Sequence, residues 1–362
     1  MRIALLTLPV DENIGGHLQR YALMTVLQNM GHDVTHINLR YNFDNETWLQ
    51  KCWFHAKEIL VKIMKRQKLF PLLKTRGELT QLDYEQECKL ADMFYERYIQ
   101  HTEVVNSKKG LYKLSGYECY IVGSDQVWRK SMTKHFGLST FIFDFLNPAA
   151  KRIAYGISFG TADNELDETE IKELGQLCKR FAAVSVREDS AMGLLRHYGW
   201  NSPKSVHVLD PTMLLDRTLY ANLIKVNNGK EQFAKGQYIA SYIFDKSEKN
   251  MQRVKENEER LQMQTRHLPT DGQMEIEDWL SAMYNAAYVV TDSFHGVVFS
   301  TLFQKPFCFL KNDFRGNERV DSLAKMLQID LTKDEQQWGN INKRLNEYRN
   351  QSMAFLESTL QA

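Results

Sequence analysis

The sequence predicts an α/β fold made of two Rossmann-like lobes that face each other across a cleft. Three observations carry this. The first forty residues run strand, loop, helix, strand; the same rhythm returns from residue 117 and again from 238; and a polar stretch at 226–237, with two glycines and no apolar periodicity, separates the last two runs. Parallel strands joined by helices need both faces of a sheet covered, which suits the short, uniformly apolar runs seen here.

The elements follow in order. RIALLTL is a short apolar strand, NIGGHLQRYALMTVLQNMG a loop and amphipathic helix, and DVTHINL a second strand. YECYIVGSDQVW reads as a strand feeding a polar loop and KRIAYGISFG as a strand. An acidic helix is expected at 166–180, FAAVSVRE is a strand, DSAMGLLRHYG a helix, and KSVHVLDPT a strand and exit. In the second lobe YIASYIF is a strand, 246–264 a charged helix and EIEDWLSAMYNA a helix. AYVVTDS is then a strand, FHGVVFSTLFQ a helix and PFCFL a strand, and 341–358 forms an amphipathic helix expected to pack back across the first lobe. The expected organisation is a first lobe at 1–205 with a helical insert at 46–112, a linker region at 206–237, a second lobe at 238–335 and a C-terminal helix at 336–362.

Within the insert, residues 51–76 hold eight Lys/Arg against the single acid Glu58, with Trp53, Ile59, Leu60, Ile63, Met64 and Phe70 near helical spacing. The expected arrangement is a helix that packs this apolar stripe on the first lobe. The alternative is a basic amphipathic helix lying on an anionic membrane surface.

Composition excludes several classes. The chain has 362 residues, 43% hydrophobic and 25% charged, and its 46 Lys+Arg nearly cancel its 45 Asp+Glu. Such a balance offers no excess for nucleic acid. The apolar start ends at Asp11 and Glu12, too early for a signal peptide, and no stretch reaches the ~18 apolar residues of a membrane span. The five cysteines are scattered without a CxxC, so neither disulfides nor zinc is expected, and the reading is a cytoplasmic protein, with contact at the inner membrane face through 51–76 as the alternative. No carboxylate or histidine set has metal-ligand spacing.

Five motifs stand in order: N-x-G-x-x-L-Q-x-Y-A-L from Asn13, V-G-S-D-Q-V-W from Val122, S-V-R-E-D-S-A from Ser185, L-D-P-T from Leu209 and T-D-S-F-H-G from Thr291. Together they resemble the polysaccharide pyruvyl transferase family over roughly 1–45 and 115–325. The resemblance implies two lobes similar to those of the GT-B type glycosyltransferases. It also implies transfer of the enolpyruvyl unit of phosphoenolpyruvate onto hydroxyls of a surface polysaccharide, such as a capsule, or of its polyprenyl-linked precursor. Phosphoenolpyruvate would be the donor substrate, with no further cofactor and no metal. In some relatives the last motif has Arg two residues before the histidine; here that place is Ser293.

This chemistry needs a carboxylate and phosphate site, an acid, and help for one hydroxyl. His295 stands at a predicted helix start, with Ser293 as a candidate N-cap and Gly296 allowing close approach, and is a candidate phosphate contact or proton donor. Its other reading is a histidine that caps its own helix. Arg187 ends an apolar strand, where its charge calls for an anion, either a ligand or a neighbouring acid. Asp125, at a strand end in a Gly-Ser loop, would orient an acceptor hydroxyl or hold an Asx turn. Asn13, Gly15 and Gly16 occupy the first strand-to-helix turn as candidate sugar contacts, Trp128 is a candidate stacking platform or a core residue, and Arg319 is a candidate anion contact. His17, Asp292 and Arg315 carry no assigned role. The competing readings are a two-lobed glycosyltransferase using a nucleotide sugar and a non-catalytic sugar-binding protein.

Overall fold

The computed structural model describes residues 1–44, 46–64, 73–226, 235–312 and 316–361. The first lobe runs β1 (Arg2–Leu6), α1 (Ile14–Asn29), β2 (Asp33–His36), α2 (Trp48–Met64), α3 (Arg76–Tyr98), the short α4 (Lys108–Leu111) and β3 (Cys119–Val122). It continues through β4 (Lys151–Ile157), α5 (Glu168–Cys178), β5 (Ala183–Val186), α6 (Asp189–His197) and β6 (Val206–His207). Its six strands are parallel in the order β2-β1-β3-β4-β5-β6. After α7 (Arg217–Val226) the second lobe comprises β7 (Tyr238–Tyr242), α8 (Glu248–Leu261), β8 (Gln264–His267), α9 (Ile276–Asn285), β9 (Tyr288–Thr291), α10 (Phe294–Leu302), β10 (Phe307–Phe309) and α11 (Glu318–Leu327). Its four parallel strands are ordered β10-β9-β7-β8. Helix α12 (Trp338–Gln361) closes the chain.

The inner strands are buried along their whole length, as CYIV in β3 and YVVT in β9 show. Both sheets therefore have helices on both faces, and each has a point where the chain changes direction. In the first sheet that point lies between β1 and β3, in the second between β7 and β9. The crevice outside the carboxyl ends of the strands at such a point is where open α/β sheets hold ligands.

One hydrophobic core joins the lobes. Ile14, Leu18, Leu209 and Met213 pack in it together with Trp279, Val297 and Phe299. An ion pair between Arg97 on α3 and Glu277 on α9 (2.9 Å), and a bond from the Asp189 N–H to Ser322 Oγ (2.9 Å), span the same boundary. Helix α12 returns to the first lobe, where Lys151 Nζ donates to the Leu360 carbonyl (3.0 Å) and Phe355 faces Tyr155.

Three expectations are corrected here. Residues 206–237 are not a linker at their start, because β6 is the edge strand of the first sheet, Pro211–Met213 form a 3-10 turn and α7 packs on α9; residues 227–234 lie outside the described ones. The charged helix expected at 246–264 ends at Leu261, with Gln262 in the left-handed region (φ 53°), and strand β8, for which the sequence predicts no element, follows it. Finally, the stripe of the insert does not pack on the first lobe. That work is done by α3, which buries Ala91, Phe94 and Tyr95, whereas α2 has no buried residue at all. Residues 65–72 of the basic segment lie outside the described ones.

Burial of histidines sets an acid limit on this fold. His17, His36 and His295 all have pKa values lowered from 6.5, first because burial disfavours the charged ring. Between their folded values and 6.5 the unfolded chain binds more protons, so stability falls as pH drops below 6.5. At pH 5 His295, with its folded value of about 4, should cost about 2 kcal/mol relative to pH 7, and His17 and His36 act in the same direction. Urea denaturation at the two pH values reads this directly, and unchanged stability would contradict it.

Candidate active site

Three of the five motifs place residues around one cavity, which opens between the two crevices just described. From the first lobe it is lined by Asn13, after β1, and by Asp125 and Gln126, after β3. From the second it is lined by Tyr242 at the end of β7 and Phe244 after it, by Asp292 to His295 at the β9–α10 corner, and by Arg319 on α11. The enclosed space is about 40 Å³, room for one or two waters.

Arg187 is the centre of the polar network behind this cavity. It follows β5 directly, its side chain is fully buried, and its guanidinium forks between two carboxylates: Nη1 donates to Asp210 Oδ2 (2.6 Å) and Nη2 to Asp125 Oδ1 (2.7 Å). Burial opposes the charge of Arg187, but Asp125, Asp210 and Glu188 outweigh it and raise its pKa. Asp125 is pushed up by burial, yet the charges of Arg187, His295 and Arg319 bring it down to about 2, so it stays ionised. It sits in the left-handed region (φ 76°), a conformation in which Asp is tolerated better than most residues. Its loop is pinned by Gln19, whose Oε1 accepts from the Ser124 N–H (3.0 Å) while its Nε2 donates to the Gly16 carbonyl (3.0 Å).

Asp210 belongs to the L-D-P-T motif and had no assigned role. Its Oδ1 accepts from the N–H (3.0 Å) and hydroxyl (2.6 Å) of Thr212, which leaves Oδ2 turned toward Arg187. His295 approaches from the other lobe, with Nε2 4.0 Å from that Oδ2. This nitrogen is buried and has no hydrogen-bond partner among the described residues. Burial lowers the His295 pKa, Asp210 works the other way, Arg187 adds to the lowering, and the result is about 4; the ring is neutral at pH 7. Phe294 lies between the two cations, its ring 5.0 Å from the Arg187 guanidinium and 5.6 Å from that of Arg319.

Two glycines shape the corner by close approach. A Cβ on Gly15 would lie 1.9 Å from His295 Nδ1, so this turn of the first lobe is the floor on which the imidazole of the second lobe rests. A Cβ on Gly296 would lie 2.1 Å from Thr291 Oγ1. Gly15→Ala is expected to push the imidazole away and reduce activity about 100-fold, the cost of a displacement near 1 Å in a reacting group. Comparing kcat/KM with the far-UV spectrum separates this from unfolding; near-normal activity would show that the ring need not rest there.

The remaining candidates divide. Asn13 caps α1 by accepting from the Gly16 N–H (3.2 Å) and also lines the cavity. Gly16 itself has only Asn13 near its Cβ position. Ser293 occupies the N-cap position of α10 without a side-chain capping bond. Asp292 binds the N–H groups of Phe244 (2.9 Å) and Asp245 (2.8 Å) and the Asn312 amide (2.7 Å), which fixes the β7 loop beside the cavity. Arg315 lies outside the described residues. Trp128 is corrected to a core residue: it is 1% exposed, and its Nε1 donates to the Phe141 carbonyl (3.0 Å), so it offers no face to a sugar. Arg187 is corrected as well, since its anions are the protein's own carboxylates rather than a ligand. Among the described residues no group of three His, Cys, Asp or Glu side chains is placed to hold a metal ion.

The chain belongs to the polysaccharide pyruvyl transferase family, whose model matches residues 13–314. No curated protein sequence matches it. Among solved structures it is similar to the UDP-GlcNAc 2-epimerase of Neisseria meningitidis bound to UDP-GlcNAc (12% identity, all of both chains covered, TM-score 0.48). It is also similar to the UDP-GlcNAc 2-epimerase of Methanocaldococcus jannaschii (10% identity, 97% of this chain and 93% of that one, TM-score 0.44). An alpha-glucosyltransferase in complex with UDP is a further neighbour (9% identity, 98% and 95% covered, TM-score 0.41).

Proposed function

We propose that this member of the polysaccharide pyruvyl transferase family moves the pyruvyl unit of phosphoenolpyruvate onto two hydroxyls of a sugar in a surface polysaccharide or its lipid-linked precursor. The observation that carries the reading is the meeting of His295 and Arg319 at the first turn of α10, beside Asn13. An imidazole, a guanidinium and the N–H groups of a helix start form a site for a small, highly charged anion.

In the reaction a proton goes to the methylene carbon of phosphoenolpyruvate, and a sugar hydroxyl adds at C2. Loss of phosphate and addition of a second hydroxyl then close the ketal. His295 is the group placed to hold that proton. Neutral on its own at pH 7, its ring is drawn toward the charged form when the phosphate and carboxylate of the donor arrive, because an adjacent anion raises an imidazole pKa. Asp210 faces the same ring and would stabilise the charged form. Arg187 acts as a positioning residue, holding Asp125 and Asp210 in place. Asp125, ionised and at the cavity wall, is placed to accept from an acceptor hydroxyl. Phosphoenolpyruvate is a cytoplasmic metabolite, so the reaction belongs to that compartment.

The test is incubation with phosphoenolpyruvate and a panel of lipid-linked galactosides and mannosides, read by mass spectrometry. A product carrying a pyruvate ketal is the expected result. A sugar transferred from a UDP-sugar, with phosphoenolpyruvate untouched, would replace this reading by that of a glycosyltransferase.

A further inference from the structure

Helix α2 is amphipathic the wrong way round for a helix on a soluble protein. Four of its polar residues, at 51, 55, 58 and 62, form one stripe of a 3.6-residue period, with Gln50 and Lys57 off to one side, and this stripe faces the protein. Lys51 Nζ pairs with Asp44 (2.6 Å) and with Glu78 at the start of α3 (2.8 Å), Lys62 pairs with Glu58 (2.6 Å), and Glu58 accepts from the Leu73 N–H (2.8 Å). Its apolar residues fall at 49, 53, 56, 60 and 63, on the opposite face. There Leu49 and Trp53 are each 70% exposed and Leu60 is 61% exposed, with Ile63, Met64 and the neighbouring Trp48 and Leu73 also exposed. A continuous outward apolar face of this size marks an interaction surface.

Charge indicates what covers it. The one acid of the helix, Glu58, is turned inward with its side chain 7% exposed, while Lys57, Lys74 and Arg76 are exposed around the face; the Lys57 ammonium lies over the Trp53 ring (5.3 Å). Two copies of this face brought together about a two-fold axis would oppose cation to cation. Apolar residues with tryptophans, rimmed by lysine and arginine, instead match the boundary between acyl chains and anionic headgroups. No helix among the described residues is long and apolar enough to cross a membrane, so such contact is with the surface.

We propose that α2 docks this protein on an anionic lipid bilayer, its apolar face in the headgroup boundary and its polar face on the protein. The face shares no residue with the interlobe cavity, and docking does not depend on the reaction proposed above.

The test is sedimentation of the full chain with vesicles of phosphatidylcholine alone and of phosphatidylcholine with phosphatidylglycerol. Binding to the mixed vesicles, at least tenfold stronger than to the neutral ones, is expected. Trp53→Glu combined with Leu60→Glu should abolish it with the far-UV spectrum unchanged, since both side chains are exposed. Lys57→Glu should weaken it about fivefold or more, the effect of one interfacial cation. Three results would overturn the proposal: no binding to the mixed vesicles, binding that the double variant retains, or a dimer in solution that the double variant turns into a monomer. The last would assign the face to a second copy of the chain.

Discussion

His295→Ala is expected to lower turnover by about 10²–10⁴-fold, the usual contribution of a positioned acid or base, with the fold retained. The expectation rests on where the ring lies. It enters from the second lobe, rests on Gly15 of the first, and presents, 4.0 Å from Asp210, a buried Nε2 with no partner among the described residues. A histidine that only capped its helix would bond to a backbone group of α10, and this nitrogen does not. His295→Asn distinguishes hydrogen bonding from proton transfer, because the amide can still donate to phosphate but cannot pass on a proton. Expected is donor KM near that of the wild type for Asn, with kcat as low as for Ala. Steady-state phosphate release provides both constants, and near-normal kcat in either variant would remove His295 from the chemistry.

Arg187→Met is expected to destabilise the protein by about 3–5 kcal/mol, because removing one partner of a buried ion cluster leaves the others uncompensated. The cluster is large: Asp125 and Asp210 both lose their cation, and the imidazole of His295 that faces Asp210 is neutral at pH 7. Adding Asp125→Asn and Asp210→Asn to the same chain should restore much of the lost stability, since the charges responsible are then gone. Arg187→Lys should fall between, as an ammonium cannot fork to two carboxylates at once. Guanidinium denaturation of the four proteins measures this. If Arg187→Met alone is as stable as the wild type, the network is not as buried as described. Asp125 makes the cluster acid-sensitive: its folded pKa lies below the carboxylate value, so its contribution is present above pH 3.8 and lost as pH falls toward 2.

Much of this architecture could be read from the chain because it depends on local pattern. Apolar runs such as CYIV and YVVT become inner strands, and the polar corner after YVVT falls at a switch point, so His295 was found by its position at a strand end. What escaped depends on distant partners. The carboxylates that satisfy Arg187 lie 62 and 23 residues away, so its partner could not be identified from the strand that ends at it. Asp210 was visible as part of L-D-P-T, but its use of one oxygen for the turn and the other for Arg187 is a tertiary fact. Trp128 fills the core because an aromatic cluster with Phe159, Phe181 and Trp200 closes over it. Strand β8 is QTRH, a polar edge strand with no apolar signal. Helix α2 showed its period plainly, but periodicity fixes only that a helix has two faces, and here ion pairs to Asp44 and Glu78 turn the polar one inward.

Isothermal titration of phosphoenolpyruvate into the protein, its His295→Ala variant and an Arg319→Ala variant tests most directly whether the interlobe cavity is the donor site. The expected result is one site per chain in the wild type, weakened at least tenfold by each substitution, with UDP giving no competing heat. Phosphoenolpyruvate that fails to bind the wild type, or that binds both variants unchanged, would contradict the assignment.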